Sequence, residues 1–314
     1  MDMPLRFSSE LTGGGVSVLC CVLLTLVIGV ATVKLRRQAG ALDSLRTLTQ
    51  TLQEGMLRPL PSRVGGLRTE VRYLAAQPGA QVGGDIYDVV STPFGVRLLV
   101  GDVMGKGMPA VGTAMDTLGA FRELVQCEAR LSMVAQRMDA ALARRGSGEG
   151  FVTALLFGLA DGESSAELVC CGHPPPLLIR GRRATFADAL PPSPPLGLFG
   201  LQDEWCRSSA VPLSAGDRLL LYTDGVTEAR DGKGEFYPLA ERTVSLYAED
   251  PGAFLDALSA DLMRHAKGNL KDDAALLLVD YGDIRASDGQ VRSQGGNLIH
   301  RADRKSTSGA RRIR

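Results

Sequence analysis

Short apolar runs that end in Gly, Pro or Asp constrain the fold of this 314-residue chain more than any other feature. The five clearest are VRLLVGDV at 96–103, VTALLFGL at 152–159, AELVCCG at 166–172, RLLLYTDG at 218–225 and AALLLVDY at 274–281. Runs of this length, rich in Val and Leu and bounded by turn residues, predict strands. Because most of them lack polar alternation, several of these strands are expected to be buried on both faces.

Helical patterns separate the first two strands. Pro109 suits a first helical turn, and an apolar stripe runs from Val111 to Val125. Further stripes at 131–142 and 254–262 predict two more helices. Long strand-only stretches with grouped helices favour an α+β layered domain over a regularly alternating parallel sheet. We place this globular domain at residues 62–282, which suits a single core.

An uncharged stretch at 16–33 predicts a transmembrane helix at 16–35, preceded by a short extracytoplasmic N-terminus at 1–15. A cleaved signal peptide is the competing interpretation, but Arg6 is offset by nearby acidic residues and no A-x-A cleavage site follows. Basic residues directly after the stretch favour a cytoplasmic position for the rest of the chain. The expected location is therefore the cell membrane, with a single pass and a cytoplasmic catalytic domain.

A linker at 36–61 joins this span to the domain. Its apolar residues recur every three or four positions, which predicts an amphipathic helix at 38–58: Leu42, Leu45, Leu48, Leu52 and Met56. This helix is either a spacer that packs on the domain or a short coiled coil that pairs two copies into a homodimer. Residues 283–314 are polar and lack an apolar period, which predicts a disordered basic tail.

Charge and cysteine content exclude several classes of function. Lys and Arg number 35, as do Asp and Glu, so a formal net charge of zero gives no general reason to expect nucleic acid as a partner. The six cysteines form no Cys-x-x-Cys pair, so neither a zinc site nor a disulfide framework is indicated. Any function that depends on charge must therefore be local.

Four acidic clusters lie at the ends of apolar runs: Gly83-Gly84-Asp85 opens IYDVV, Gly101-Asp102 ends LLV, Asp224-Gly225 ends LLLYT and Asp272-Asp273 begins AALLLV. If the strands share a sheet, these carboxylates gather at one edge. Crowded carboxylates repel one another, whereas Mg²⁺ and Mn²⁺ bind to carboxylate and carbonyl oxygens. The combination predicts a dinuclear metal site, and the neighbouring glycines would let a main-chain carbonyl join the ligands.

Each cluster alone is weak evidence, since Asp-Gly after a strand is more often a turn than a ligand. The segment GDVMGKG at 101–107 is not a Walker A loop, because only three residues separate Gly101 from Gly105 and no Ser or Thr follows the lysine. His173 precedes three prolines, which favours a role in fixing a rigid loop over general-acid catalysis. Metal-activated water is then the expected nucleophile.

The motifs, in this order, resemble the SpoIIE/RsbU-type phosphatases of the PP2C superfamily. They are VGGDIYDVV (82–90), LLVGDVMGKGMPA (98–110), FVTALLFGLAD (151–161), CGHPPPLLIRG (171–181), PPLGLFG (194–200), GDRLLLYTDGVTEARD (216–231) and KDDAALLLV (271–279). The resemblance covers residues 50–280. It implies a PP2C-like αββα sandwich that binds two Mn²⁺ or Mg²⁺ ions, here preceded by one transmembrane helix.

The resemblance also implies roles for individual residues. Asp102 would bridge the two ions, and Asp85 would bind directly or through water. Asp88 and Asp273 are second-rank candidates. The catalytic residues so implied are Asp85, Asp102, Asp224 and Asp272, and the metal ligands are these four with Val103, through its carbonyl, and Asp273.

The usual substrates of the family imply a phosphoserine or phosphothreonine on a STAS-domain anti-sigma factor antagonist. Two positions depart from the family pattern. Met104 stands where eukaryotic members of the superfamily have a histidine proposed as an acid, and Lys106 stands where many relatives have histidine. The leading expectation is a metal-dependent protein serine/threonine phosphatase. The alternatives are a catalytically silent, membrane-tethered binding module of the same fold and a metal-dependent nuclease or phosphodiesterase.

Overall fold

The computed structural model describes residues 21–37, 55, 57–76, 83–145, 150–187, 193–201 and 206–282. The chain divides into two compact units, Met1–Gly55 and Met56–Arg314. Most of the linker helix predicted at 38–58 and the whole tail predicted at 283–314 lie outside the described residues.

In the first unit, residues 21–37 form a helix, α1, along which every residue is exposed. The Thr25 hydroxyl donates to the carbonyl of Val22 at 2.8 Å, and that of Thr32 donates to the carbonyl of Gly29 at 2.8 Å. Both threonine hydroxyls thus form hydrogen bonds within the helix itself. A search of the described residues finds no helix that is both long enough and apolar enough to cross a membrane. Residues 16–20 of the predicted span lie outside the described ranges.

The second unit is built on two antiparallel sheets. The six-stranded sheet has the order β1-β2-β11-β10-β7-β8, and the five-stranded sheet has the order β3-β4-β5-β6-β9. The strands are β1 Arg63–Val64, β2 Leu67–Leu74, β3 Asp85–Thr92, β4 Gly95–Val103, β5 Val152–Leu159, β6 Ser165–Cys171, β7 Leu177–Arg180, β8 Arg183–Phe186, β9 Ser209–Pro212, β10 Asp217–Tyr222 and β11 Ala274–Tyr281.

The helices cover the outer faces of both sheets. They are α2 Met108–Cys127, α3 Leu131–Arg145, α4 Asp224–Thr227, α5 Leu239–Ser245 and α6 Pro251–His265, with a 3₁₀ turn at Phe199–Leu201. Helix α2 begins after Gly107, which has a φ of 79°, and Pro109 lies in its first turn as expected. Helix α6 is capped by Asp250, whose carboxylate accepts a hydrogen bond from the Ala253 backbone N–H at 2.9 Å.

Three apolar clusters hold these layers together. The first lies between α2, α3 and the five-stranded sheet, the second between the two sheets, and the third between α6 and the six-stranded sheet. Along β4, Leu98 faces the other sheet and Leu99 faces the helices. Because successive strand residues point to opposite faces, a strand covered on both sides is apolar throughout. The α+β prediction is confirmed, and its layers are helix, sheet, sheet, helix.

Candidate active site

Aspartates from both sheets meet where four strand ends come together. Asp85 begins β3 and pairs directly with Asp102 near the end of β4. The Val103 N–H donates to the Gly84 carbonyl at 3.0 Å, which extends this pairing past the strand end. On the six-stranded sheet, Asp224 follows β10 and Asp272 precedes the adjacent β11. The carboxylates therefore come from two facing sheets rather than from one sheet edge.

Glycines allow the backbone to approach closely at this junction. A Cβ on Gly84 would lie 2.2 Å from the Val103 carbonyl oxygen and 2.7 Å from Asp102 Oδ1. A Cβ on Gly225 would lie 1.9 Å from the Asp273 carbonyl oxygen. Real side chains do not tolerate such distances, so both positions require glycine. The glycines beside Asp85 and Asp224 thus let neighbouring strand ends approach closely, in addition to any role in turns.

The electrostatics of the cluster favour a bound cation. Burial raises the pKa of Asp102 to about 7, and repulsion from Asp224 and Asp272 adds to that rise. Burial, followed by repulsion from Glu228 and Asp272, raises the pKa of Asp224. Burial and repulsion from Asp102 also raise the pKa of Asp85 well above its usual value. Carboxylates that disfavour each other's ionisation are stabilised by a divalent cation between them.

The donor set fits Mg²⁺ or Mn²⁺ in its chemistry, because it consists of carboxylate and carbonyl oxygens. Within the described part of the chain, no three His, Cys, Asp or Glu side chains already converge closely enough to enclose an ion. The Lys106 ammonium lies 2.9 Å from Asp272 Oδ1 and supplies one positive charge at the rim. Asp102 accepts no hydrogen bond from any described residue, which leaves its oxygens available to a cation.

Asp273 is engaged differently from the other predicted ligands. Its carboxylate accepts hydrogen bonds from the Tyr73 hydroxyl, from the Ala76 N–H at 2.7 Å and from the Gly83 N–H at 3.1 Å. Asp88, the second-rank candidate, forms an ion pair with Arg122 at 2.5 Å and accepts from the Val89 N–H. Both side chains therefore tie parts of the fold together, and the role of Asp273 as a metal ligand stays a prediction.

His173 links the two sheets and is fully occupied. Its Nε2 lies 3.0 Å from the Tyr222 carbonyl, and its Nδ1 lies 3.1 Å from the Thr153 hydroxyl. A carbonyl only accepts, so Nε2 carries the proton and Nδ1 accepts from Thr153. Burial lowers the pKa of His173 to about 4, which keeps the ring neutral. This geometry agrees with the predicted structural role of His173 and leaves neither nitrogen free to act as an acid.

Sequence reasoning missed two residues that shape the cluster. The Thr223 hydroxyl donates to Asp85 Oδ2 at 2.8 Å, and its place directly before Asp224 was the available signal. Tyr73 reaches Asp273 across 200 positions of the chain. No local pattern could have indicated a contact of that separation.

These features define a PP2C fold, as comparison with solved structures shows. The SiaA-PP2C domain of Pseudomonas aeruginosa superposes with a TM-score of 0.64 at 19% identity, over 78% of this chain and 98% of that one. The catalytic domain of the phosphatase PstP, solved in complex with two manganese ions, gives a TM-score of 0.51 at 18% identity, over 69% of this chain and 99% of that one.

Residues 92–282 match the family described as Stage II sporulation protein E (SpoIIE), and the chain belongs to that family. The phosphoserine phosphatase RsbU of Bacillus subtilis is 26% identical over 157 residues, which are 50% of this chain and 46% of RsbU. The phosphoserine phosphatase RsbP of the same organism is 26% identical over 208 residues, 64% of this chain and 50% of RsbP. The chain thus spans about half the length of these relatives.

Proposed function

We propose that this chain is a metal-dependent protein serine/threonine phosphatase. The observation that carries the proposal is the group Asp85, Asp102, Asp224 and Asp272, which lies where the two sheets of a PP2C fold meet. Burial and repulsion between neighbouring carboxylates raise the pKa values of Asp85, Asp102 and Asp224. Family membership supports the same activity. A silent binding module would gain nothing from these carboxylates, because their mutual repulsion destabilises the fold unless a cation is present.

Two Mn²⁺ or Mg²⁺ ions would be held by these four carboxylates together with the Val103 carbonyl, and they would supply an activated water and neutralise charge on the phosphoryl oxygens. Asp102 lies at the centre of the group, since it pairs with Asp85 and its pKa is raised by repulsion from both Asp224 and Asp272. The three hydrogen bonds on Asp273 support a role in anchoring the backbone beside Asp272. Lys106 would attract the substrate phosphate at the rim of the site.

The proposed substrate is a phosphoserine or phosphothreonine on a STAS-domain anti-sigma factor antagonist. Support comes from RsbU and RsbP, both named as phosphoserine phosphatases. We also propose that residues 16–35 anchor the chain in the cell membrane with the catalytic domain in the cytoplasm. The uncharged composition of that stretch supports the anchor, and the apolar spacing that predicts a helix at 38–58 supports a homodimer.

The test uses the full chain in detergent micelles with a phosphothreonine peptide and p-nitrophenyl phosphate. We expect release of phosphate that requires Mn²⁺ or Mg²⁺ and is abolished by EDTA. A matched control for any ligand substitution is Asp161→Asn, which changes an exposed aspartate in the turn after β5. Mn²⁺ binding without turnover of either compound, or of a phosphorylated STAS protein, would favour the silent binding module instead.

A further inference from the structure

Thr223 is a fully buried residue between β10 and Asp224. Its hydroxyl oxygen lies 2.9 Å from the Ala275 backbone nitrogen and 2.8 Å from Asp85 Oδ2. A backbone N–H only donates, so the hydroxyl accepts from Ala275 and must direct its single proton at Asp85. The direction of both hydrogen bonds is therefore fixed by the backbone of β11.

The hydrogen bond between Thr223 and Asp85 crosses from one sheet to the other. Thr223 follows β10 of the six-stranded sheet, and Asp85 opens β3 of the five-stranded sheet. Asp85 is only 3% exposed, so water has little access to its carboxylate. One of its oxygens, Oδ2, accepts the hydrogen bond from the Thr223 hydroxyl, and the other, Oδ1, accepts none from the described residues. The hydroxyl thus orients the carboxylate and leaves one oxygen available.

A second connection between the sheets lies one residue away. His173 holds the Tyr222 carbonyl, directly before Thr223, and also binds the Thr153 hydroxyl. Thr153 is the strand partner of Asp102. The two connections together join the segment that carries Asp224 to the strands that carry Asp85 and Asp102. Contacts at the adjacent residues Tyr222 and Thr223 therefore fix the distance between Asp224 on one sheet and the pair Asp85 and Asp102 on the other.

We propose that Thr223 is a positioning residue whose hydroxyl orients Asp85 toward the cation site and thereby sets the affinity of that site for Mn²⁺. His173 keeps the Thr223 backbone at the correct distance from the five-stranded sheet. This inference rests on the proposed metal-dependent function. Thr223 itself contacts neither cation nor substrate, so its effect passes entirely through Asp85.

The test compares Thr223→Val, which keeps the shape and removes the hydroxyl, with Thr223→Ser, which keeps the hydroxyl. Mn²⁺ binding to the full chain is measured by isothermal titration calorimetry. We expect Thr223→Val to weaken binding about 10- to 100-fold, the usual effect of removing a group that orients a metal ligand. Thr223→Ser should bind like the wild type, and Thr223→Cys, with a weaker donor, should lie between them.

A matched control separates orientation from general loss of packing. Thr243 in α5 is also fully buried, and its hydroxyl has no hydrogen-bond partner among the described residues. Thr243→Val should leave Mn²⁺ binding unchanged. In phosphatase assays, saturating Mn²⁺ should restore most of the turnover of Thr223→Val, because the defect lies in metal affinity. Circular dichroism on each variant verifies that the fold is retained.

Two results would overturn the proposal. Wild-type Mn²⁺ affinity in folded Thr223→Val would show that the hydroxyl is dispensable. Equal losses in Thr223→Ser and Thr223→Val would show that the methyl group, through packing, is what matters. Failure of the wild type itself to bind Mn²⁺ would instead contradict the metal-dependent function on which this inference rests.

Discussion

Two groups of aspartates in the PP2C-like domain differ in what compensates their charge. Asp88, Asp139 and Asp273 are buried and fully served by the protein, through Arg122, the Gly197 and Phe199 N–H groups, and the donors around Asp273. Asp85, Asp102 and Asp224 have few such donors, and repulsion from neighbouring carboxylates raises their pKa values. Asp272 beside them is exposed and forms an ion pair with Lys106. Burying a charge without compensation is costly. Asp85, Asp102 and Asp224 therefore favour a cation from outside the chain, whereas the charges of the first group are compensated within it.

The largest expected effect is a loss of activity when a predicted metal-binding aspartate is replaced by asparagine. Asp102→Asn and Asp224→Asn should each lower kcat/KM for p-nitrophenyl phosphate by more than about 100-fold, because a ligand counts for more than the outer groups that orient it. The same substitutions should not lower the melting temperature of the metal-free protein, since they remove repulsion. A variant of either residue with near-native turnover would contradict its place among the ligands.

The structural group should show the opposite result. Asp273→Ala removes the acceptor of three hydrogen bonds, two of them from backbone N–H groups. We expect the free energy of unfolding to fall by about 2–3 kcal/mol, as for buried donors left unsatisfied. Chemical denaturation of the metal-free protein measures this loss. A stable Asp273→Ala protein that has lost Mn²⁺ binding would move Asp273 back into the ligand group.

A pH dependence should distinguish the two groups further. The pKa of Asp102 is about 7 in the folded, metal-free chain, above its ordinary value of 3.8. The folded state then binds more protons than the unfolded state between these values, so this residue makes the protein less stable as the pH rises from 4 to 7. Saturating Mn²⁺ or Asp102→Asn should flatten that part of a denaturation series. An identical slope in all three samples would contradict the assignment.

The smallest effect is expected at the rim. Lys106 and Asp272 form an ion pair whose side chains are 38% and 52% exposed, so the pair contributes little to stability. Lys106→Gln should change the melting temperature negligibly and raise KM for a phosphopeptide a few-fold, with kcat nearly unchanged. Lys106→Arg, which keeps the charge, is the control. A loss confined to kcat would indicate a role for Lys106 in the chemical step.

The sequence indicated the strands that are covered on both faces, because their apolar runs are continuous. Strand β2 was missed since its sequence, LRTEVRYL, is polar and half-buried along one side. The four-residue strands β7, β8 and β9 were too short to show a period. The candidate ligands were found because each lies at a strand end. Their supporting contacts, such as that of Tyr73 with Asp273, depend on long-range pairing that no local pattern encodes.

The hydrogen bonds that Asp273 accepts have a consequence for how the length of the segment before Asp85 can vary among relatives. Ala76 and Gly83 lie on either side of residues 77–82, and both donate to the same carboxylate. The ends of that segment are thus pinned independently of what connects them. Doubling the number of residues in a loop between two fixed points costs only about 0.6 kcal/mol in closure entropy. Relatives of this chain could therefore gain or lose residues between these two anchor points while Asp85 keeps its position.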